Sequence, residues 1–333
     1  MARSSPNYEN RDEFLAHIAS LYYDQNKTQQ EISEVVGITR SAISRLLNEA
    51  REKGIVEITV HYPYRTIPEL EKALLQRYNL KAARVLARGD KSVEEMVHGL
   101  GVLAAQYFSS LLKPDSIIGI SWGTNLYQMV QAIKRVSLPD AEVVQLVGGT
   151  GTEKGSAIGP LLAPMLADRL GCSCRFLNAP LVTNSQELRN ALLEEPSIRE
   201  ALDRANQADI ALVGIGALHL DIYNPYRLGY LTADEVNTMK SLGVVGDVCC
   251  LHFSTDGEIL DMEINRRMMS ISQESLARIP TVIGIAGDSR KSEAIYGALR
   301  AGLVNVLITD ETAARGVLDL RQKEDLDQRV VAV

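Results

Sequence analysis

The stretch that decides the fold at the start of this chain is TQQEISEVVGITRSAISRLLNEAREK, residues 28–53. Thr28 is followed three residues later by Glu31, which is the spacing of a capping box, so a helix is expected to begin there. Gly37 marks the end of that helix, because glycine adopts the positive φ of a helix C-terminus without steric cost. Thr39 is a good N-cap for a second helix. The stretch therefore predicts two short helices joined by a tight turn.

The predicted second helix separates into two faces at a period of 3.6 residues. One face is apolar, and the opposite face carries short hydroxyls, a guanidinium and an amide. Such groups contact base edges and phosphates in a DNA major groove, which favours a recognition helix. An ordinary helical hairpin with a solvated polar face is the alternative. The apolar face consists of Ile43, Leu46, Leu47 and Ala50, and the predicted DNA-binding residues are Thr28, Gln29, Thr39, Arg40, Ser41, Ser44, Arg45 and Asn48.

The flanking residues extend this pair to a winged helix-turn-helix. Asn10 with Glu13 is a further cap, which predicts a preceding helix. Gly54 ends the second helix, and residues 55–60 (IVEITV) alternate like a short strand, which predicts a small wing. Together these elements indicate a DNA-binding domain over residues 1–61.

The charge of this domain differs from that of most nucleic-acid-binding domains, which are basic. Residues 1–65 hold eight Lys and Arg against nine Asp and Glu, whereas residues 40–53 hold four basic and two acidic side chains. The positive charge is therefore confined to the recognition helix. Such a module is expected to bind nonspecific DNA weakly and to need two copies, held together by the rest of the chain, to bind an operator.

The composition of the whole chain bounds its class. At 333 residues, with 46% apolar residues, 23% charged residues and a net charge of −7, it is long enough for two or three domains and too acidic for a general nucleic-acid or membrane coat. No signal peptide and no stretch of about 18 apolar residues is present, so a cytoplasmic protein without a membrane partner is expected. Four cysteines and five histidines lack ligand spacing, so no metal and no cofactor are predicted.

From Ala82 onward, apolar runs typical of buried strands alternate with helical patterns. This alternation predicts an α/β domain built on a doubly wound, Rossmann-like parallel sheet over residues 82–333. Residues 62–81 between the domains are predicted to be a linker followed by an oligomerisation helix, residues 69–78. The predicted strands are residues 83–87, 116–121, 142–147, 210–215, 245–253, 281–286 and 305–309, and the predicted helices include 93–112, 126–134, 158–170, 233–242 and 290–300.

Ligands of such sheets bind outside the carboxyl ends of the strands, where this chain places glycine-rich turns, hydroxyls and a lysine. Free amides at helix N-termini make an anion site there, and phosphate is the expected guest. The Gly149–Gly155 spacing resembles a dinucleotide fingerprint but has one residue too many before the third glycine. A carboxylate near the 245–253 strand is expected to accept hydrogen bonds from sugar hydroxyls, although Asp256-Gly257 is also a simple turn. Arg227 and Arg267 are either anion clamps or surface ion pairs, and Trp122 is either a pocket wall or core.

The chain resembles the SorC family of bacterial transcriptional regulators over nearly its whole length. The resemblance implies an N-terminal helix-turn-helix and an effector domain related to sugar-phosphate isomerases, glucosamine-phosphate deaminases and CoA transferases. It also implies assembly as dimers or tetramers and control of operator binding by a phosphorylated sugar or related metabolite. The matching motifs are Leu21-Tyr22-Tyr23, Glu31-Ile32, Ser44-Arg45-Leu46-Leu47, GISWG (119–123), LVGG (146–149), YRLG (226–229), Gly246-Asp247, Asp256-Gly257 and KSEAIYGALRAGLVNVLITD (291–310).

The resemblance also implies an effector site. The first phosphate loop would be Ser121, Gly123, Thr124 and Asn125, and the second phosphate loop would be Gly148 and Gly149. Asp247 and Asp256 match acidic positions near the sugar, and Lys291 matches a lysine at a helix start. Val147 stands where some relatives have a lysine, which excludes a Schiff base there, and the departures at Thr255 and Arg266 leave the identity of the sugar open. The predicted effector-binding residues are Ser121, Trp122, Gly123, Thr124, Asn125, Gly148, Gly149, Thr150, Gly216, Asp247, Asp256 and Lys291.

Two functions remain after the sequence is read. The first is a DNA-binding regulator, without enzymatic activity, that binds double-stranded operator DNA as a homo-oligomer under the control of a phosphorylated sugar or polyol. The second is a sugar-phosphate isomerase or deaminase with an accessory helix-turn-helix, for which Asp247, Asp256 or Glu263 would have to act as general base. Kinship of fold is a poor warrant for chemistry, so the first is preferred.

Overall fold

The computed structural model describes residues 10–56, 64–149 and 158–331 of the chain. The chain divides into two compact units, Met1–Pro63 and Tyr64–Val333. The first unit has a small hydrophobic core of its own, and the second has two large cores and a minor one.

Three helices form the described part of the first unit: α1 (Arg11–Tyr23), α2 (Gln29–Val36) and α3 (Arg40–Glu52). The predicted caps are present, since Thr28 and Glu31 form a capping box and Gly37 ends α2 with φ 78°. The predicted apolar face of α3 is buried against α1 and α2. Most of the predicted wing lies outside the described residues, which stop at Val56 and resume at Tyr64. The buried side chains are Leu15, Ile18, Ala19, Leu21, Ile32, Ile43, Leu46, Leu47 and Ala50.

A seven-stranded parallel sheet, in the order β1-β10-β9-β5-β2-β3-β4, forms the centre of the second unit. Side chains alternate between its two faces, so that along β5 Ala211 and Val213 enter one core while Ile210 and Leu212 enter the other. The described strands are β1 (Ala82–Leu86), β2 (Ile117–Ile120), β3 (Glu142–Gln145), β4 (Ser173–Arg175), β5 (Ile210–Gly214), β6 (Gly216–Ala217), β7 (Val244–Val248), β8 (Leu251–Ser254), β9 (Thr281–Ile285) and β10 (Val306–Asp310).

Helices cover both faces of this sheet, as expected for a doubly wound fold. The five helices that the sequence patterns predicted from residue 93 onward are present. The helices are α4 (Pro68–Arg77), α5 (Val93–Ser109), α6 (Thr124–Ala132), α7 (Ile158–Leu170), α8 (Gln186–Leu193), α9 (Pro196–Ala205), α10 (Asn224–Arg227), α11 (Ala233–Ser241), α12 (Glu263–Arg267), α13 (Gln273–Arg278), α14 (Ser292–Arg300), α15 (Glu311–Val331) and a 3₁₀ turn at Ser289–Lys291.

Helix α4, which lies inside the predicted linker segment 62–81, belongs to the second unit. Its Leu74 is buried in the core of that unit. Just after its end, Tyr78 donates a hydrogen bond to the carbonyl oxygen of Val317 in α15. The suggested part of this helix in oligomerisation stays a prediction.

One predicted strand is wrong. Residues 245–253 do not form a buried parallel strand; β7 and β8 are an antiparallel hairpin, and β6 pairs with β7 to complete a separate three-stranded sheet. Cys249 and Cys250 close the hairpin with φ of 50° and 63°. A two-residue hairpin of this kind needs positive φ at both central positions, which the sequence usually announces with Asn-Gly or Asp-Gly rather than with two cysteines.

Candidate functional site

A cavity of about 260 Å³ lies outside the carboxyl ends of β2, β5 and β9, which are neighbours in the sheet. The chain leaves β2 toward β3 on one side and leaves β5 toward β9 on the other. This is the topological switch point at which open α/β sheets bind their ligands. The hairpin of β7 and β8 and residues 222–227 provide further walls.

The N-terminus of α6 forms one side of the cavity. Gly123 precedes the helix with φ 143°, and no side chain caps its first turn. The free amides of this turn and the positive end of the helix dipole therefore face the cavity from Thr124 onward. This geometry suits an anion.

Lys291 and Asp247 face the cavity from the other side. The Nζ of Lys291 donates a hydrogen bond to the carbonyl oxygen of Ile215 at 2.9 Å. Burial lowers the pKa of Lys291, and the carboxylate of Asp247 partly opposes this. Burial raises the pKa of Asp247, and His252, the Cys250 amide and Lys291 oppose this. The pair thus offers hydrogen-bond donors beside a carboxylate acceptor.

Gly216 makes room for Asp247. The two residues lie opposite each other in the β6–β7 pair, and a Cβ at position 216 would lie 2.0 Å from Oδ1 of Asp247. Gly216 also lines the cavity, so its predicted part in effector binding stays a prediction.

Two arginines line the cavity in different electrostatic states. Within the described residues, the exposed Arg227 of α10 has no ion-pair partner. Arg290 is held by Asp288, whose Oδ2 lies 2.6 Å from its Nη2, and by Asp221. The hydrogen bonds from Arg290 lower the pKa of Asp288, and the bond to Asp288 raises the pKa of Arg290.

Most of the predicted effector-binding residues lie at this cavity. The Oγ of Ser121 accepts a hydrogen bond from the amide of Gly214 at 3.4 Å, and Nδ2 of Asn125 donates to the carbonyl oxygen of Ile285 at 3.3 Å. These two polar side chains therefore tie the loop after β2 to its neighbouring strands. The predicted residues that line the cavity are Ser121, Trp122, Gly123, Thr124, Asn125, Gly216, Asp247 and Lys291.

The second predicted phosphate loop requires correction. Gly148 and Gly149 line a separate small pocket behind Ser121 and Trp122. Their amides already donate to the carbonyl oxygens of Met269 and Ala179, at 2.7 and 2.9 Å, and are not open to a phosphate. Thr150 lies outside the described residues.

Asp256 also requires correction, because it does not line the cavity. Its side chain is 75% exposed and lies 3.5 Å from Arg300, at the C-terminal end of α14. Lys291 immediately precedes α14, and a helix of nine residues separates its two ends by about 13 Å. Glu263, the other candidate base outside the cavity, is paired with Arg267 at 3.1 Å.

Sequence reasoning missed the apolar wall of the cavity. Val93, Met96 and Val97 contribute it from the start of α5. A Cβ at Gly287 would lie 2.8 Å from the sulfur of Met96, so α5 packs directly on the loop after β9. A signal for this contact is the absence of a side chain at Gly287.

The polar face of α3 is a second candidate site, in the first unit. Arg40, Ser41, Arg45 and Asn48 are exposed, and Ser44 is half-buried. Of the predicted residues before these, Thr28 is engaged in the capping box and Thr39 caps the amide of Ala42; Gln29 is half-buried at the start of α2.

Among the described residues, no cluster of three or more His, Cys, Asp and Glu side chains is placed to hold a metal ion. No helix in the described part of the chain is long and apolar enough to span a bilayer.

Known proteins resemble both units. The family description "Putative sugar-binding domain" matches residues 62–319, and "Sigma-70, region 4" matches residues 16–53. A transcriptional regulator LsrR from Enterobacter sp. (strain 638) is 34% identical over 312 residues, which is 93% of this chain and 94% of that protein. A deoxyribonucleoside regulator from Bacillus subtilis (strain 168) is 32% identical over 301 residues, which is 90% of this chain and 96% of that protein. Among solved structures, the full-length sorbitol operon regulator SorC from Klebsiella pneumoniae matches with a TM-score of 0.69 and 30% identity, over 92% of this chain and 99% of that chain.

Proposed function

This chain belongs to the SorC family of sugar-responsive, DNA-binding transcriptional regulators, and from this premise we propose that its effector is a phosphorylated sugar or sugar alcohol bound in the cavity at the switch point of the sheet. Relatives are named for sorbitol and for deoxyribonucleosides, which are different small molecules. The chemical class of the effector is therefore inferred from the cavity itself.

The observation that carries the proposal is the opposition of donors and an acceptor across one cavity. The start of α6, Lys291 and Arg227 supply hydrogen-bond donors and positive charge, which suit a phosphate. The carboxylate oxygens of Asp247 have further lone pairs that can accept hydrogen bonds from sugar hydroxyls. The volume of about 260 Å³ accommodates a small metabolite rather than a dinucleotide.

The described geometry of α3 supports operator binding by its exposed face. Short hydroxyls and guanidiniums at the start of a helix are typical of major-groove contacts. Because the positive charge of the first unit is confined to this helix, we propose that a homodimer or tetramer presents two copies to the operator, and that the regulator works in the cytoplasm, where its DNA is.

We propose further that the protein is not an enzyme. Asp247 is the one candidate base of the three that lies at the cavity, since Asp256 and Glu263 are on the exposed surface. A test is turnover of glucosamine, fructose and ribose phosphates. Turnover that disappears in an Asp247→Asn variant would contradict the proposal.

The effector class is tested by thermal melting of the full chain against a panel of phosphorylated sugars and the corresponding free sugars. A ligand that binds only the native state raises the melting temperature by mass action. We expect a rise with at least one phosphate ester and none with its free sugar. Lys291→Ala is expected to weaken binding by about 1.5–3 kcal/mol, the range for a hydrogen bond to a charged group. Equal affinity in that variant would remove Lys291 from the site, and a response to free sugars alone would contradict a phosphorylated effector.

A further inference from the structure

Arg290 stands out because it lines the cavity and yet its charge is already neutralised. Asp288 holds it through two contacts, from Nε to Oδ1 at 3.0 Å and from Nη2 to Oδ2 at 2.6 Å. Asp221, 69 residues away in sequence, occupies Nη1. An incoming anion therefore meets a guanidinium in which each of the three nitrogens already donates to a carboxylate.

The two carboxylates are held very differently. Asp288 is largely buried and belongs to the same loop as Arg290, where its Oδ1 also accepts the amide of Arg290 at 3.0 Å and its own amide donates to Asp310 at 2.8 Å. The side chain of Asp221 is 63% exposed. An exposed ion pair contributes little free energy, so Asp221 is the partner that an anion can displace.

Asp221 also lies on a segment that forms part of the cavity. The next two residues, Ile222 and Tyr223, line it, and the amides of both donate to the carbonyl oxygen of His219, at 2.9 and 2.7 Å. The ion pair with Arg290 thus joins this short turn to the loop after β9, at the rim of the cavity.

From this arrangement we propose that Asp221 masks Arg290 in the effector-free protein, and that the phosphate of the effector takes the place of Asp221 on Nη1 of Arg290. Asp221 is an internal competitor, and it sets the concentration of phosphate ester at which the cavity fills. The inference rests on the proposed phosphorylated effector, since it requires an anion in the cavity. It adds Arg290, which sequence reasoning did not select, to the anion-binding groups.

The test is a double-mutant cycle on the full chain, with inorganic phosphate as the probe and thermal melting as the readout. Removal of a competitor predicts tighter binding, so Asp221→Asn is expected to bind phosphate about two- to fivefold more tightly than the parent, the range for release of an exposed ion pair. In an Arg290→Gln background the same substitution is expected to give no gain, because nothing remains to be unmasked.

A matched control separates masking from a general change of charge. Asp261 forms an exposed pair with Arg266 and does not line the cavity. Asp261→Asn removes the same charge and is expected to leave phosphate affinity unchanged. Asp221 is exposed, so its replacement is not expected to change the melting temperature without phosphate by more than about 2 °C, since surface substitutions stay within about 0.5 kcal/mol.

The outcomes are distinct. If Asp221→Asn raises phosphate affinity equally in the Arg290→Gln background, Asp221 acts by long-range electrostatic repulsion of the anion and not by occupying Arg290. That result would overturn the masking. Unchanged or weaker binding by Asp221→Asn would also overturn it, while leaving a phosphorylated effector in place. No response of any variant to phosphate or to phosphate esters would overturn the phosphorylated effector, and the masking with it.

Discussion

At Gly216 the cavity has no room for one added carbon atom. The Cβ of an alanine would displace the Asp247 carboxylate, whose Oδ1 lies 2.0 Å from that position. The displaced carboxylate no longer faces the effector, so Gly216→Ala is expected to weaken effector binding at least tenfold. The obstacle is the end of a side chain, which can move, so the variant is expected to lose only about 1–3 kcal/mol of unfolding free energy. The melting shift with the effector ester, measured beside chemical unfolding, checks both.

Gly149→Ala is the matched control for this change. A Cβ there would meet nothing closer than 3.9 Å, and Gly149 does not line the cavity. Effector affinity is expected to stay within twofold of the parent. A large loss of effector affinity in this variant would mean that the second predicted phosphate loop, Gly148 and Gly149, does belong to the effector site.

Arg45 carries the prediction for the DNA-reading surface. It is exposed on α3, where a phosphate or base contact is expected. Arg45→Ala should weaken operator binding without changing effector affinity and, if it contacts phosphate, should reduce the slope of log K against log salt by about 1. Electrophoretic mobility shift or anisotropy titrations at several salt concentrations measure this.

Arg51 provides the comparison on the same helix, because its guanidinium donates two hydrogen bonds to the hydroxyl oxygen of Tyr23, at 2.7 and 3.0 Å. Arg51→Ala removes the same charge and is expected to keep the parental salt slope. Equal effects of the two variants on the slope would mean that the overall charge of α3, and not the position of Arg45, governs binding.

Asp288 gives the site a defined response to acid. The hydrogen bonds from Arg290 hold the pKa of Asp288 below its ordinary value in the folded chain. The stability that this provides is therefore complete above the unfolded pKa of an aspartate, about 3.9, and is lost as the pH falls through the lower folded value. The difference in unfolding free energy between the parent and Asp288→Asn should shrink as the pH is lowered from 6 to 3; a constant difference would contradict this origin.

At the scale of elements, the start of α2 depends on one local interaction. Thr28 accepts the amide of Glu31, and Glu31 accepts the amide of Thr28 at 2.8 Å. Thr28→Ala should destabilise the first unit by about 1 kcal/mol, the typical value for an N-cap, whereas Thr28→Ser should retain most of the stability. Urea unfolding followed by circular dichroism checks this, and equal stability of the two variants would argue that the cap contributes nothing.

The elements that the sequence predicted correctly are those whose signals are local. Capping residues, helical periodicity and apolar runs indicate α2, α3 and six of the seven parallel strands, whereas the three-residue edge strand β4 (Ser173–Arg175) has no apolar run and was not predicted. The β7–β8 hairpin was missed because its turn is made by Cys249 and Cys250, residues that give no turn signal. Asp256 was misplaced because a sequence pattern does not tell which end of α14 the preceding turn meets.

At the scale of the whole molecule, the separate cores predict separate unfolding. The described core of the first unit contains no residue of the second, and its centre includes the fully buried Ile43. Ile43→Ala should lower the unfolding free energy of the first unit by about 2–5 kcal/mol and so lower its melting temperature. A phosphate ester should raise only the melting temperature of the second unit. Scanning calorimetry resolves the two, and a single transition moved by both changes would show that the units unfold as one.

The separate cores also matter for building biosensors. Under the proposed function, the side chains that would bind the operator lie on the exposed face of α3, and those that would bind the effector line the cavity at the switch point of the sheet. A library that diversifies the first set can be screened for new promoters while the metabolite stays fixed, and a library of the second can be screened on one reporter. The two sets of side chains can therefore be varied and measured one at a time in the same chain.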